Sequence, residues 1–427
     1  GTIDFSPAGA EEIKAPISSS TSYDSDKALI VKNSGYKGYL IGSSTPITEP
    51  VEINAGEHSL TVKGTLTQVQ MYSNGLIVAK NNQVQNIDVK AGNIFLEHES
   101  NVVAAEKNTT VDLQAKNLLY IASRPVVEFS DRATTIYNSG GNINLISSEG
   151  SIGINAQSGS AIWSGAGSVT LNAADSIIVS VKNAVEMQGG VQATQNGKIE
   201  LNAHSISMTM DNLASPFLYA LNGDISLKAS NIYLEQKAAT IQTYDNSTVS
   251  IQGSDVTQII GNIYADGATA VVNINTEENQ NALTYIEGEI EAWEGSSINI
   301  NTQGTGNSRV VLNGEIVTSD YKGTSTVTVN FGSGGLFNGI SRAEIGRSSG
   351  VSQFTFGENS VWYVKGNSQV SSLHLSSALI DLTSAQANNP TLNVDSLLST
   401  NATLLLNATS SGQSQSNGSL KVANSAS

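Results

Sequence analysis

Cysteine is absent from the 427 residues. That excludes a disulfide frame, a thiolate zinc cluster and a thiol nucleophile together. A large exported chain without cysteine suits passage through an oxidising compartment, where stray disulfides would trap it unfolded. Positive charge is also short: 21 Lys and Arg stand against 37 Asp and Glu, for a net charge of −16. That balance argues against a nucleic-acid backbone or an anionic lipid surface as partner, and it keeps a long β-surface soluble and its edges unpaired. Only 14% of residues are charged and 6% aromatic, a sparseness that in another context indicates disorder. Here proline is scarce at 7 and apolar–polar alternation pervades the chain, so the chain reads as folded. No run of 18 apolar residues occurs, so no membrane-spanning helix is expected. The first residues, GTIDFSP, carry no basic or apolar leader pattern, so a trimmed or partial chain is expected, although a cytosolic protein would look the same at this end.

What the chain has in abundance is a repeated phrase: Gly, a polar residue, Ile or Val, a polar residue, Leu or Ile. It reads GNINL at 141–145, GSVTLNA at 167–173, GKIELNA at 197–203 and GDISLKA at 223–229. Looser copies are STVSIQG at 247–253, AVVNIN at 270–275, SSININ at 296–301 and STVTVN at 325–330. The first apolar residues, Ile143, Val169, Ile199, Ile225, Val249, Val272, Ile298 and Val327, lie 23 to 30 residues apart. A repeat of that length built on alternating strands means stacked coils.

The spacing predicts an all-β fold, a right-handed parallel β-helix with three strands per coil. A left-handed hexapeptide coil would show a tighter period. Period-two alternation puts Val169 and Leu171 on one face, and stacking lines such residues into rows that only neighbouring coils can cover. Further alternating triplets extend the pattern, upstream at Ile3–Phe5, Leu29–Val31, Leu60–Val62, Ile87–Val89 and Val111–Leu113. Downstream they are Phe354–Phe356, Leu373–Leu375, Leu392–Val394 and Leu404–Leu406. Counting one coil for each gives roughly sixteen rungs about 4.8 Å apart. Asn follows the second apolar position at Asn172, Asn202, Asn275, Asn301, Asn330 and Asn407, where it is expected to take a positive φ at a bend and to form amide ladders. LASPFLYAL (213–221) is the nearest approach to a helix, and Pro216 spoils it.

Two stretches resemble a known family. ENSVWYVKGNSQVSSLHLSSALIDL (358–382) is similar to the segment near the C-terminal end of passenger domains in bacterial autotransporters of the AIDA and pertactin type. LNVDSLLSTNATLLLNATSSGQSQSNGSLKVANSAS (392–427) resembles the opening of that family's autochaperone region, with Leu420–Lys421–Val422 matching its Leu-x-Val phrase. The resemblance implies a β-helical passenger over 1–390 and the start of an autochaperone region over 391–427. It also implies export through the outer membrane of a Gram-negative bacterium, display at the cell surface, and an outer-membrane β-barrel in the full-length protein. Adhesion, self-aggregation and biofilm formation are the roles it implies. The partner would be a copy on a neighbouring cell, or a host surface protein or glycan. The Gly-Asp-Ser-Gly site of protease passengers and the Gly-Asp-Ser-Leu block of lipase passengers are both missing, so no catalytic residue carries over, and no cofactor is expected.

Among individual residues, the four histidines, His58, His98, His204 and His374, are too scattered for a metal pair or a Ser-His-Asp relay to be read from spacing. The main alternative function is binding or degradation of a polysaccharide, which needs grouped carboxylates on one face. TYIEGEIEAWE (284–294) is the best such group. Alternation places Ile286, Gly288, Ile290 and Ala292 inward, and Tyr285, Glu287, Glu289, Glu291 and Trp293 outward as one acidic ridge, suited to a basic partner, a cation or a sugar. No Lys or Arg occurs between Lys237 and Arg309, which disfavours a lyase. Trp163 and Trp362 are expected to pack at coil corners or caps.

Overall fold

Alternation becomes strand wherever one face can be covered. Ser168–Ala173 shows the pattern, burying Val169, Leu171 and Ala173 while the residues between them face outward. The computed structural model describes residues 11–12, 22–24, 29–31, 51–63, 75–80, 84–99, 101–124, 134–183, 189–211, 213–385, 390–406 and 418–426. Among these every regular element is a β-strand, and the strands stack as parallel coils in a β-solenoid of about 12 turns. Contacts divide the chain into two units, Gly1–Ala229 and Ser230–Ser427.

In the first unit three parallel faces enclose the core. One carries the file Ile87, Val111, Ile143, Val169, Ile199 and Ile225, each the register partner of the next. A second carries Leu60, Ile94, Leu119, Ile152, Ile177 and Ile206. The third carries Ile77, Val103, Ile136, Ile162, Val191 and Leu218. All of these side chains are buried. Burying such aliphatics contributes about 1.5–3 kcal/mol apiece, and the in-register ladders satisfy the backbone groups that enclosure takes from water.

The second unit repeats the scheme. Ile251, Ile274, Ile300, Val329, Phe354 and Leu373 form one file. Ile259, Ile286, Leu312, Phe337, Trp362 and Ile380 form another, and Ile241, Ile263, Ile290 and Ile316 a third. Toward larger residue numbers aromatics replace aliphatics. Phe331 stacks on Phe356 at 4.4 Å, Phe337 stacks on Trp362 at 5.0 Å, and Phe354 meets both Phe337 and Trp362 edge-on. Trp362 is fully buried and its indole N–H donates to the Gly339 carbonyl at 3.2 Å. Trp163 instead rests against Tyr137 at 4.6 Å and donates to Thr194 Oγ1 at 3.0 Å.

Three details depart from expectation. The rung count of roughly sixteen took any alternating triplet as a coil. Leu392–Val394 and Leu404–Leu406 fall in successive strands of a single wind, Thr391–Thr400 and Thr403–Leu405. One wind therefore supplied two counts. Second, positive φ occurs at Asn275 and Asn301, at 52° and 54°, but not at Asn172, Asn202 or Asn330. Asn172 and Asn202 serve as a ladder, the Asn202 amide donating to Asn172 Oδ1 at 3.0 Å, and Asn330 holds a turn through Gly332 N–H. Third, 213–221 is a bend leading into the strand Leu218–Glu235. Ile3–Phe5 and Asn407 lie outside the described residues.

Candidate functional site

The strand Leu283–Glu287 ends where Gly288 turns the chain, and a new strand, Ile290–Trp293, begins on the next face. Gly288 and Gly314 take φ of 149° and 152°. A Cβ at Gly314 would stand 1.9 Å from the Gly288 carbonyl oxygen, so only glycine fits this corner on stacked coils. The predicted acidic ridge is therefore divided between two faces, because alternation was carried straight through a residue whose backbone bends. Ile286, Ile290 and Ala292 do point inward as expected.

Tyr285 and Glu287 stand on the first of these faces. The Tyr285 hydroxyl donates to Glu287 Oε2 at 3.3 Å and accepts from Asn313 Nδ2 at 3.3 Å, and Asn338 Nδ2 donates in turn to Asn313 Oδ1 at 3.2 Å. Glu289 sits at the corner, its N–H donating to Asn262 Oδ1 at 2.9 Å. Glu291 and Trp293 belong to the second face.

On that second face the buried Ile241, Ile263, Ile290 and Ile316 act as rulers. One residue beyond each lie Gln242, Tyr264, Glu291 and Val317 in register, followed by Arg342 on the next coil. Three residues beyond lie Tyr244, Asp266 and Trp293, of which Asp266 and Trp293 are register partners. Tyr264 meets Tyr244 at 6.1 Å and Trp293 at 5.6 Å, edge-on in both cases. Its hydroxyl donates to Asp266 Oδ2 at 2.8 Å, and burial, then that bond, raises its pKa. Burial, then the hydrogen bond and charge of Glu289, push Glu291 up to about 7, against the pull of Arg342. Arg342 is itself paired with Glu315, Nε to Oε2 at 2.8 Å.

Tyr244 and Tyr264 were not among the residues singled out from the sequence. The signal was present: aligning Ile241, Ile263 and Ile290 superposes Tyr244, Asp266 and Trp293 in one column. Reading along a single strand hides a cluster that exists only across coils.

A second candidate surface lies in the first unit. Asp112, Asn144, Thr170, Glu200 and Ser226 face outward in one file, with Asn144 Nδ2 donating to Asp112 Oδ1 at 2.7 Å. The second unit has a similar file of Asn273, Asn299, Thr328 and Gln353, linked by Asn299 Nδ2 to Asn273 Oδ1 at 3.0 Å.

His58, His204 and His374 are exposed and His98 is buried. Among the described residues no three His, Asp or Glu side chains are grouped to hold a metal ion. The chain matches no protein-family model, no curated protein and no solved structure.

Proposed function

We propose that this chain is the passenger of a bacterial autotransporter, displayed on the cell surface as an adhesin, and that it joins cells by contact between copies. The observation that carries this reading is the file of outward polar residues, Asp112, Asn144, Thr170, Glu200 and Ser226, held in register on consecutive coils. Short polar side chains on a flat parallel sheet offer donors and acceptors at a fixed step. A second copy laid alongside meets them repeatedly, so weak contacts sum to lasting attachment. The β-solenoid and the family-like segments at 358–382 and 392–427 support the same assignment. In that setting the whole protein carries an outer-membrane β-barrel, and attachment serves aggregation and biofilm growth.

The test is to display the chain on otherwise non-clumping cells and follow settling. Wild-type cells should clump. Changing Asn144, Thr170 and Ser226 together to Glu, which places like charges opposite one another on approaching copies, should abolish clumping at an unchanged display level. Dispersed wild-type cells, or clumping that survives the triple change, contradict the proposal.

A further inference from the structure

Outward positions in this chain are mostly short and polar, yet three large rings gather on one face of the second unit. Tyr244, Tyr264 and Trp293 come from successive coils, their centroids 6.1 and 5.6 Å apart and their planes crossed by 65° and 68°. Each tyrosine has a polar companion: the Tyr264 hydroxyl donates to Asp266 Oδ2 and the Tyr244 hydroxyl to Gln242 Oε1. Gln242 and Glu291 stand in register with Tyr264 on the coils to either side, so amide and carboxyl groups alternate with the rings along the strip.

We propose that the strip Tyr244–Tyr264–Trp293 is a binding subsite for a neutral hexose polysaccharide. A sugar ring presents an apolar C–H face rimmed by hydroxyls. Aromatic rings take the apolar face, while nearby carboxyl and amide groups take the hydroxyls. The coil step of about 4.8 Å is close to the length of one sugar unit, so a polymer lying along the stack meets one ring per coil and gains from repetition. The charge selects among polysaccharides. Asp266 and Glu291 lie beside Tyr264, Glu294 lies beside Asp266 with Lys322 near it, and Arg342 is paired with Glu315, so the local balance is acidic and disfavours anionic chains. Cleavage is not part of the proposal. The site stands whether or not copies of the chain self-associate.

The experiment is electrophoresis of the purified chain through gels containing a mannan, a β-1,3-glucan or a galactan, with chitosan and heparin gels beside them. At least one neutral polymer should retard the protein. Trp293→Ala and Tyr244→Ala should each weaken the retardation about tenfold. Thermal melts of each variant establish that the fold is intact, and Tyr244→Ala decides the matter if Trp293→Ala unfolds. Retardation by none of the three neutral polymers, retardation by chitosan or heparin alone, or full retardation of the folded alanine variants would each overturn the proposal.

Discussion

Glu291 is hydrogen-bonded to Glu289 across the corner that follows Gly288, and it keeps its proton up to about pH 7. In the unfolded chain the same carboxyl ionises near its ordinary value of 4.5. Between those two values the unfolded state gives up a proton that the folded state retains. Stability therefore falls as pH rises from about 4.5 to about 7, and levels off above. The loss is about 1–2 kcal/mol once solvent screening of a half-buried group is allowed for. Urea titrations at pH 4.5 and 7.5 should show the difference in wild type and a much smaller one in Glu291→Gln. An equal slope in the variant would place the effect elsewhere.

The glycine corner that divides the acidic groups should tolerate no side chain. At Gly314 an added methyl meets the Gly288 carbonyl oxygen at 1.9 Å and the backbone sits at a φ of 152°. Gly314→Ala should cost about 3 kcal/mol or more, read as a drop in urea midpoint. Gly346, with nothing within 4 Å of its added Cβ, is the contrasting site. Its alanine variant bears only the backbone cost of φ 78° and should fall well short of that loss.

Legibility from sequence followed physical locality. The file of Val169, Ile199 and Ile225 was readable because period-two alternation fixes which side chains point inward, and a recurring phrase fixes which coil residues coincide. Trp362 as a packing residue was readable too, though its partner Phe337 comes from the neighbouring coil. The rung count was not readable, since strands on different faces of one wind look alike on paper. The acidic ridge failed at Gly288, where a positive φ interrupts the alternation that Glu287, Glu289 and Glu291 seem to share. The strip of Tyr244, Tyr264 and Trp293 escaped for the opposite reason: its members never neighbour one another along the chain.

Asn275 is a fully buried amide that binds three partners: its Oδ1 accepts from Gly253 N–H at 2.7 Å, and its Nδ2 donates to Thr257 and Thr284 hydroxyls. It also occupies a φ of 52°. Asn275→Gly relieves the backbone but leaves the three groups unpaired, so it should still lose about 2–3 kcal/mol. Recovery of wild-type stability by the glycine variant would mean that conformation, not bonding, selects the residue.

The aromatic stack should anchor its unit. Trp362 is fully buried against Phe337, Phe354 and Phe356, and Trp362→Ala should cost about 3–5 kcal/mol. Trp163→Ala, at a half-buried site, should cost clearly less. Circular dichroism during urea titration checks both, and the ranking is the point of the comparison.

The account depends most on outward residues of consecutive coils lying in register, and the chain's lack of cysteine allows a clean measurement. Asn144 and Thr170 are register partners on adjacent coils, within the Cα separation that a disulfide spans, about 4.4–6.8 Å. Replacing both with Cys and oxidising mildly should give one intramolecular cross-link in nearly every molecule, while a pair offset along the strand, Asn144 with Asn172, should give far less. Efficient cross-linking of the offset pair, with none at 144 and 170, would contradict the stacked polar face on which the proposed function rests.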